Sequence, residues 1–319
     1  MMSRLKVAAD VTLCVCIAAM SFQVPIAVGQ PDRARPGSTG SMPSSVPPPL
    51  EMTGYLWAEN LDFDGKGNLF VSDSETGEIW RIWWSGSAWT QEVYFDDARA
   101  ALGLATDDEY LFANITSLNN EHQVVRMPLG EVDPVAEVLA TLPLGANGLE
   151  RDQDGALYAT TEGNFIPGQG AVYRIVPGSG WTVFVDGLWA ANGIAIDAPQ
   201  RLMYVSQVVN NKVLVIRLPD GEILQTLPVS PPNGCLLDDI ALNQEGTLLY
   251  GADFGRGDVY QIPLNGESPS ILFSGLDHAT SLLLGDGPSF NATSLYVTEG
   301  GGFLDFDREQ RVLELPLNP

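Results

Sequence analysis

The chain has 319 residues, with 40 Asp and Glu against 16 Lys and Arg, giving a formal charge of −24. That balance excludes nucleic acid and anionic membrane as partners, because phosphate recognition needs clustered cations, and it suits a solvated surface. With 33 Gly, 22 Pro and 9 % aromatics, and no long apolar run of helical period after the first thirty residues, the composition favours short strands joined by tight turns.

Residues 1–29 place Arg4 and Lys6 ahead of an apolar core interrupted by Asp10, Ser21, Gln23 and Pro25. Ala27 and Gly29 suit cleavage before Gln30, so the segment reads as a signal peptide and the protein as secreted, extracellular or periplasmic. Its uninterrupted apolar part is too short for spanning, and no stable membrane anchor is expected. Cys14 and Cys16 lack the small preceding residue of a lipidation site. Cleavage leaves Cys235 alone, without a disulfide partner. Residues 30–50 are Pro, Ser, Gly and Arg with little to bury and read as a disordered linker. Residues 51–319 form the folded domain. Asn114-Ile115-Thr116 and Asn291-Ala292-Thr293 are glycosylation sequons, meaningful in a eukaryotic secretory host.

From residue 51 on, the chain repeats. An apolar phrase recurs whose first positions are Glu59, Leu102, Asn147, Asn192, Asp238 and Thr280, separated by 43, 45, 45, 46 and 42 residues. In unit one the phrase is followed by the turn Gly65-Lys66-Gly67-Asn68, the strand Leu69-Phe70-Val71-Ser72 and a third strand at Glu78-Ile79-Trp80-Arg81-Ile82. The other units keep that order. A period near 45 with three or four strands per unit predicts an all-β, six-bladed β-propeller. The sixth unit runs out of chain at Pro319, so residues near Glu51 to Leu56 are expected to supply the outer strand of the last blade.

In a propeller the innermost strands line a central channel, and the six first positions become neighbours. Four carry oxygen: Glu59, Asn147, Asn192 and Asp238, with no basic residue among them. Two carboxylates packed together force one to keep a proton unless a cation joins them, and carboxylate and amide oxygens suit Ca²⁺ better than Zn²⁺. Turn formation alone accounts for Asn147-Gly148 and Asn192-Gly193. It does not explain why Glu59 and Asp238 share a register. Asp239, one residue on, is expected to face the other side of its strand.

Weaker candidates surround this set. His278, just before the sixth inner strand, is a candidate substrate contact and proton shuttle, or a packed or surface residue. His122, in the run Asn119-Asn120-Glu121, is expected to be solvent-exposed. Trp57, Trp189 and Phe165 are pocket walls or core. Cys235 lacks a paired base, and the serines and histidines form no recognisable triad.

Ala58-Glu59-Asn60-Leu61-Asp62-Phe63-Asp64, Asn147-Gly148-Leu149, Asn192-Gly193-Ile194-Ala195 and Asp238-Asp239-Ile240 together resemble the motifs of the senescence marker protein/gluconolactonase (regucalcin-like) family, related to the paraoxonases and diisopropyl fluorophosphatase. The resemblance covers about residues 55 to 317. It implies one catalytic divalent metal, often calcium, at the top of the channel. Glu59, Asn192 and Asp238 would be ligands, Asn147 a fourth ligand or a substrate contact, and Asp238 also the general base or nucleophile. Sugar-lactone members carry an Arg two positions before the blade-three Asn and an Asp after it, where this chain has Gly145 and Gly148. The acid that helps some relatives hold a second ion is replaced by Ala241, so no second ion is expected. The leading expectation is a secreted, calcium-type hydrolase of a small-molecule lactone or related ester. The rivals are a non-enzymatic propeller that binds a partner and a strictosidine-synthase-like propeller without the metal.

Overall fold

The computed structural model describes residues 47–229, 236–301 and 310–317. The expected signal peptide, most of the linker and Cys235 lie outside the described residues. The chain folds into six four-stranded antiparallel sheets. An N-terminal strand, β1 (Glu51–Tyr55), is followed by blade 1, made of β2 (Ala58–Phe63), β3 (Asn68–Asp73), β4 (Ile79–Trp84) and β5 (Trp89–Phe95). Blade 2 is β6 (Ala100–Thr106), β7 (Tyr110–Thr116), β8 (His122–Pro128) and β9 (Glu137–Leu142). Blade 3 is β10 (Leu149–Arg151), β11 (Leu157–Thr161), β12 (Gly170–Val176) and β13 (Gly180–Leu188), with one 3₁₀ turn, η1 (Gly163–Phe165), after β11. Blade 4 is β14 (Ala191–Asp197), β15 (Leu202–Gln207), β16 (Lys212–Arg217) and β17 (Ile223–Pro228). Blade 5 is β18 (Leu237–Leu242), β19 (Leu248–Asp253), β20 (Asp258–Pro263) and β21 (Ser270–Phe273). Blade 6 is β22 (Ala279–Leu284), β23 (Ser294–Glu299) and β24 (Gln310–Pro316), completed by β1.

The ring closes as the repeat predicts. β1 lies antiparallel to β24, with Glu51 opposite Leu313 and Met52 opposite Val312. Arg311 Nη1 donates to Glu51 Oε1 at 2.7 Å, and the Leu50 and Glu314 backbones are joined by Glu314 N–H to Leu50 O at 2.8 Å. Leu50 is only 1 % exposed, so the last residue of the linker segment is core. The propeller core comes in wedges. Phe70, Leu104, Leu111 and Val125 pack between blades 1 and 2, and Tyr158, Val172, Ile194 and Met203 between blades 3 and 4. Leu61, Phe63, Val71 and Tyr296 join blade 6 to blade 1. The two faces of each strand therefore serve two neighbouring wedges, which is why second strands such as Leu69-Phe70-Val71 are continuously apolar. Among the described residues no helix is long and apolar enough to cross a membrane.

Candidate functional site

Five of the six inner strands break register at their start, between Ala58 and Leu61, Ala101 and Leu104, Ala191 and Ile194, Leu237 and Ile240, and Ala279 and Leu282. Such a bulge re-aims successive side chains. In five of the six blades one polar residue of the otherwise apolar second strand, Ser72, Asn114, Thr160, Ser206 or Thr298, fixes the start of an inner strand. Blade 5 has Ala252 at that place. Thr160 Oγ1 accepts from Gly148 N–H at 2.9 Å and donates to Asn192 O of the next blade. Ser206 Oγ accepts from Gly193 N–H at 2.7 Å and donates to Asp238 O at 2.6 Å. Thr298 Oγ1 accepts from Ser281 N–H at 2.9 Å and donates to Glu59 O at 3.3 Å. Asn114 Nδ2 donates to Asn147 O at 3.0 Å. The backbones of Glu59, Asn147, Asn192 and Asp238 are thus each fixed by the preceding blade. Asn114, buried in this role, is closed to glycosylation in the folded protein. Asn291 is exposed, its Oδ1 accepting from Thr293 within the sequon.

The side chains of those four residues meet at one mouth of the channel. Asn147 Nδ2 donates to Glu59 Oε1 at 3.3 Å, and Trp57 Nε1 donates to Glu59 Oε2 at 2.6 Å. Asn192 Nδ2 donates at 3.0 Å to Oε1 of Glu162, and its amide also hydrogen-bonds Asp238. Glu162, between β11 and η1, is a fifth member that the repeated phrase does not contain. Burial pushes Glu59 to about 7, with Asp239 and Asp73 adding to the shift against the Trp57 and Asn147 hydrogen bonds. Burial and Glu59 push Glu162 to about 8. Asp238 is raised well above its usual value by burial, then by Glu59 and Glu162.

A second layer lies below. Its positions are Asn60, Gly103, Gly148, Gly193, Asp239 and Ser281, and the three glycines are required by close approach. A Cβ would stand 2.2 Å from Asn147 O at Gly103, 2.4 Å from Asn192 O at Gly148 and 2.5 Å from Asp239 Cα at Gly193. In the space left, Asn60 Nδ2 and Ser281 Oγ donate to Asp239 Oδ2 at 3.0 and 2.5 Å. Asp239 therefore lines the channel beneath Asp238 instead of facing the other side of the strand; the bulge replaces strict alternation. Burial raises it to about 6. Deeper still, Asp62, Thr106 and Glu150 join Asn60 and Asp239 around a cavity of about 180 Å³.

The rim is lopsided. At two positions before the ring, blades 5, 6 and 1 place Leu236, His278 and Trp57, while blades 2, 3 and 4 place Ala100, Gly145 and Ala190. Trp57 stacks on Phe254 with centroids 5.7 Å apart, and Phe254 meets His278 at 5.0 Å. His278 is half-buried, with Nδ1 3.1 Å from Asp277 Oδ1. Trp189 Nε1 donates to Phe165 O at 3.2 Å, tying those two expected walls to each other beside Glu162. His122 is a correction. It is half-buried, not exposed, because Gly145 leaves room for its ring: a Cβ at Gly145 would lie 3.4 Å from the imidazole, whose Nδ1 is 3.3 Å from Thr116 Oγ1.

Carboxylates alone complete no cage: among the described residues no group of three or more His, Cys, Asp or Glu is placed to hold an ion. Two of the four aligned donors are amides, and Asn147 and Asn192 spend their nitrogens on carboxylates. The amide oxygens are left over. Mutually repelling, buried carboxyls that are stabilised by amides and an indole rather than by a base form a donor set that fits a hard cation.

The fold and this cluster define a class, the six-bladed propellers with an acid-and-amide site at one mouth of the channel. Within it, the chain belongs to the SMP-30/Gluconolactonase/LRE-like family, whose model matches residues 53–300. No curated protein matches it by sequence. Among solved structures it is similar to a luciferin-regenerating enzyme, with 16% identity, a TM-score of 0.65, and 84% of this chain and 95% of that one covered. It is also similar to the calcium-binding protein regucalcin of Agrobacterium tumefaciens (17%, TM-score 0.64, 82% and 90%). A gluconolactonase of Xanthomonas campestris gives 18% identity and a TM-score of 0.62, with 89% and 100% covered. At these identities the likeness is one of fold.

Proposed function

We propose that this protein is a divalent-cation-dependent hydrolase of a lactone or related ester, with Ca²⁺ the best-fitting ion. The observation that carries the reading is the convergence of Glu59, Asn147, Asn192 and Asp238 on one point with no base to neutralise them. These four residues would hold the ion. When bound, it would supply Lewis-acid polarisation of the scissile carbonyl and stabilise the developing oxyanion.

The remaining chemistry falls to the chain. Asp238, at the centre of the cluster, is the group placed to take a proton from an attacking water. Glu162 orients the Asn192 amide and Trp57 orients Glu59, so both donors are fixed before substrate arrives. The Trp57–Phe254 stack offers an apolar wall, and His278, oriented by Asp277, offers an imidazole beside it. Gly145, with the His122 ring beside it in place of a guanidinium fork, supports a substrate with fewer hydroxyls than a sugar lactone. An Asp at position 148, the pattern of the sugar-lactone members, would collide with Asn192 O on this backbone. The name of the Xanthomonas relative and the calcium binding in the name of the Agrobacterium relative support the reaction class and the ion. The leader at 1–29 adds export to the proposal, which N-terminal sequencing of the purified protein tests.

The direct experiment compares hydrolysis of aryl esters and aliphatic lactones by the wild type and by Asp238→Asn and Glu59→Gln. Both variants should fold and lose activity; a variant pair as active as the wild type would refute the assignment.

A further inference from the structure

A second pocket opens at the opposite face of the propeller. Inner strands start at the Glu59 end, so the turns from first to second strand and from third to outer strand lie at the far end. There, between blades 3 and 4, the turns around Asp152–Asp154, Ala198–Arg201 and Leu218–Pro219 enclose about 360 Å³.

One wall is a row across blade 3. Tyr158 pairs with Arg174 and Arg174 with Thr182, so three polar side chains share one face. Arg174 Nε donates to Tyr158 Oη at 3.2 Å. The facing wall carries Arg201, whose N–H donates to Ala198 O at 3.2 Å and whose carbonyl accepts from Leu218 N–H at 2.9 Å. Its φ of 55° is left-handed, a conformation that favours Gly or Asn over a long side chain. The floor is apolar: Ile196 and Leu218 line it, with Phe184 edge-on to Tyr158 at 5.1 Å.

Five of the described arginines, Arg81, Arg126, Arg151, Arg217 and Arg311, are each matched to a carboxylate, and Arg99 is matched to the Asn120 amide oxygen instead. Arg174 and Arg201 have no carboxylate partner among the described residues, although acids outnumber bases 40 to 16. Asp152 also lines the pocket: its Oδ1 accepts from Asp154 and Ala156 N–H at 2.9 Å each within its own turn, and its Oδ2 accepts from Tyr158 Oη at 3.4 Å, so it reaches Arg174 only through the tyrosine hydroxyl. Asp154 stands exposed at the edge.

We propose that this pocket binds a small organic monocarboxylate, with its head between Arg174 and Arg201 and its apolar body against Phe184, Ile196 and Leu218. Guanidinium forks match a carboxylate in two-pronged geometry. The apolar floor selects against a bare inorganic anion, and the two acids select against a polyanion. The site is independent of the channel chemistry.

Calorimetric titration of the intact protein with phenylacetate at constant ionic strength tests it, with inorganic phosphate as the bare-anion control. Phenylacetate should bind saturably at one site, with phosphate roughly tenfold weaker or more. Arg174→Gln and Arg201→Asn should each weaken phenylacetate roughly tenfold or more, the scale of one lost charge-assisted contact; Asn keeps the left-handed turn available. Glu59→Gln at the far mouth should leave it unchanged. Absence of saturable binding, tighter binding of phosphate, affinity unmoved in both arginine variants whose thermal melts match the wild type, or loss of binding in Glu59→Gln would each overturn the proposal.

Discussion

Thr160 shows how much of the site rests on residues that never touch it. Its hydroxyl is buried and serves both Gly148 N–H and Asn192 O. Thr160→Val keeps the shape and strands a buried donor, a loss of about 1–3 kcal/mol in chemical denaturation. Because Asn192 is released, the variant should also lose cation affinity, whereas an equally destabilising change elsewhere should not. Gly148→Ala forces a Cβ to within 2.4 Å of Asn192 O and should cost about 1–3 kcal/mol as overpacking. A variant as stable as the wild type would mean that the blades are not in this close contact. For the chemistry, Asp238→Asn should lower turnover about 10²–10⁴-fold, the usual contribution of a positioned base. At this scale the sequence was partly legible. Glu59, Asn147, Asn192 and Asp238 could be found because a period aligned them. Glu162 could not, since it follows the second strand and lies outside the repeated phrase. Asp239 was assigned to the wrong side because strand alternation does not survive a bulge. A usable signal was present in the polar residues of the apolar second strands, Ser72, Asn114, Thr160 and Ser206, spaced 42, 46 and 46 residues apart.

Among the elements, β1 carries the most consequence for its length. It joins the ends of the chain through backbone pairing with β24 and through Leu50, which is fully buried between blades 6 and 1. Leu50→Ala should destabilise the protein by about 2–5 kcal/mol, as for a large core truncation. Removal of residues 1–46 should leave the melting temperature unchanged, and removal through Leu56 should abolish cooperative unfolding. Equal melting temperatures for both truncations would show that the ring does not depend on this strand. The closing strand was legible by arithmetic: six units needed a last strand that the C-terminus could not supply. The start of the core at Leu50 was less so, since a single leucine after Pro47-Pro48-Pro49 reads as linker until its partner Glu314 is known.

For the whole molecule, the channel gathers acids that the folded state keeps partly protonated. Burial lifts Asp62 to about 7, the first cause before the influence of Asp286, and Glu150 to about 8, with Asp62 and Asp239 adding to burial. In the unfolded chain both ionise near their ordinary values, 3.8 and 4.5. Between those values and the folded ones, the folded state holds more protons, so stability falls as pH rises. The cation-free protein should melt at a higher temperature at pH 5 than at pH 8. Asp62→Asn with Glu150→Gln should flatten that slope; an unchanged slope would show that these two groups titrate as they do in water. The same accumulation of buried negative charge is what a cation at the mouth would relieve, and that is the central claim. It is tested most directly by stripping the purified protein with a chelator, removing the chelator and titrating Ca²⁺ back while following hydrolysis of an aryl ester. The account predicts that activity disappears on stripping and returns in full with one bound equivalent of Ca²⁺. Hydrolysis that continues undiminished in the stripped protein would contradict it.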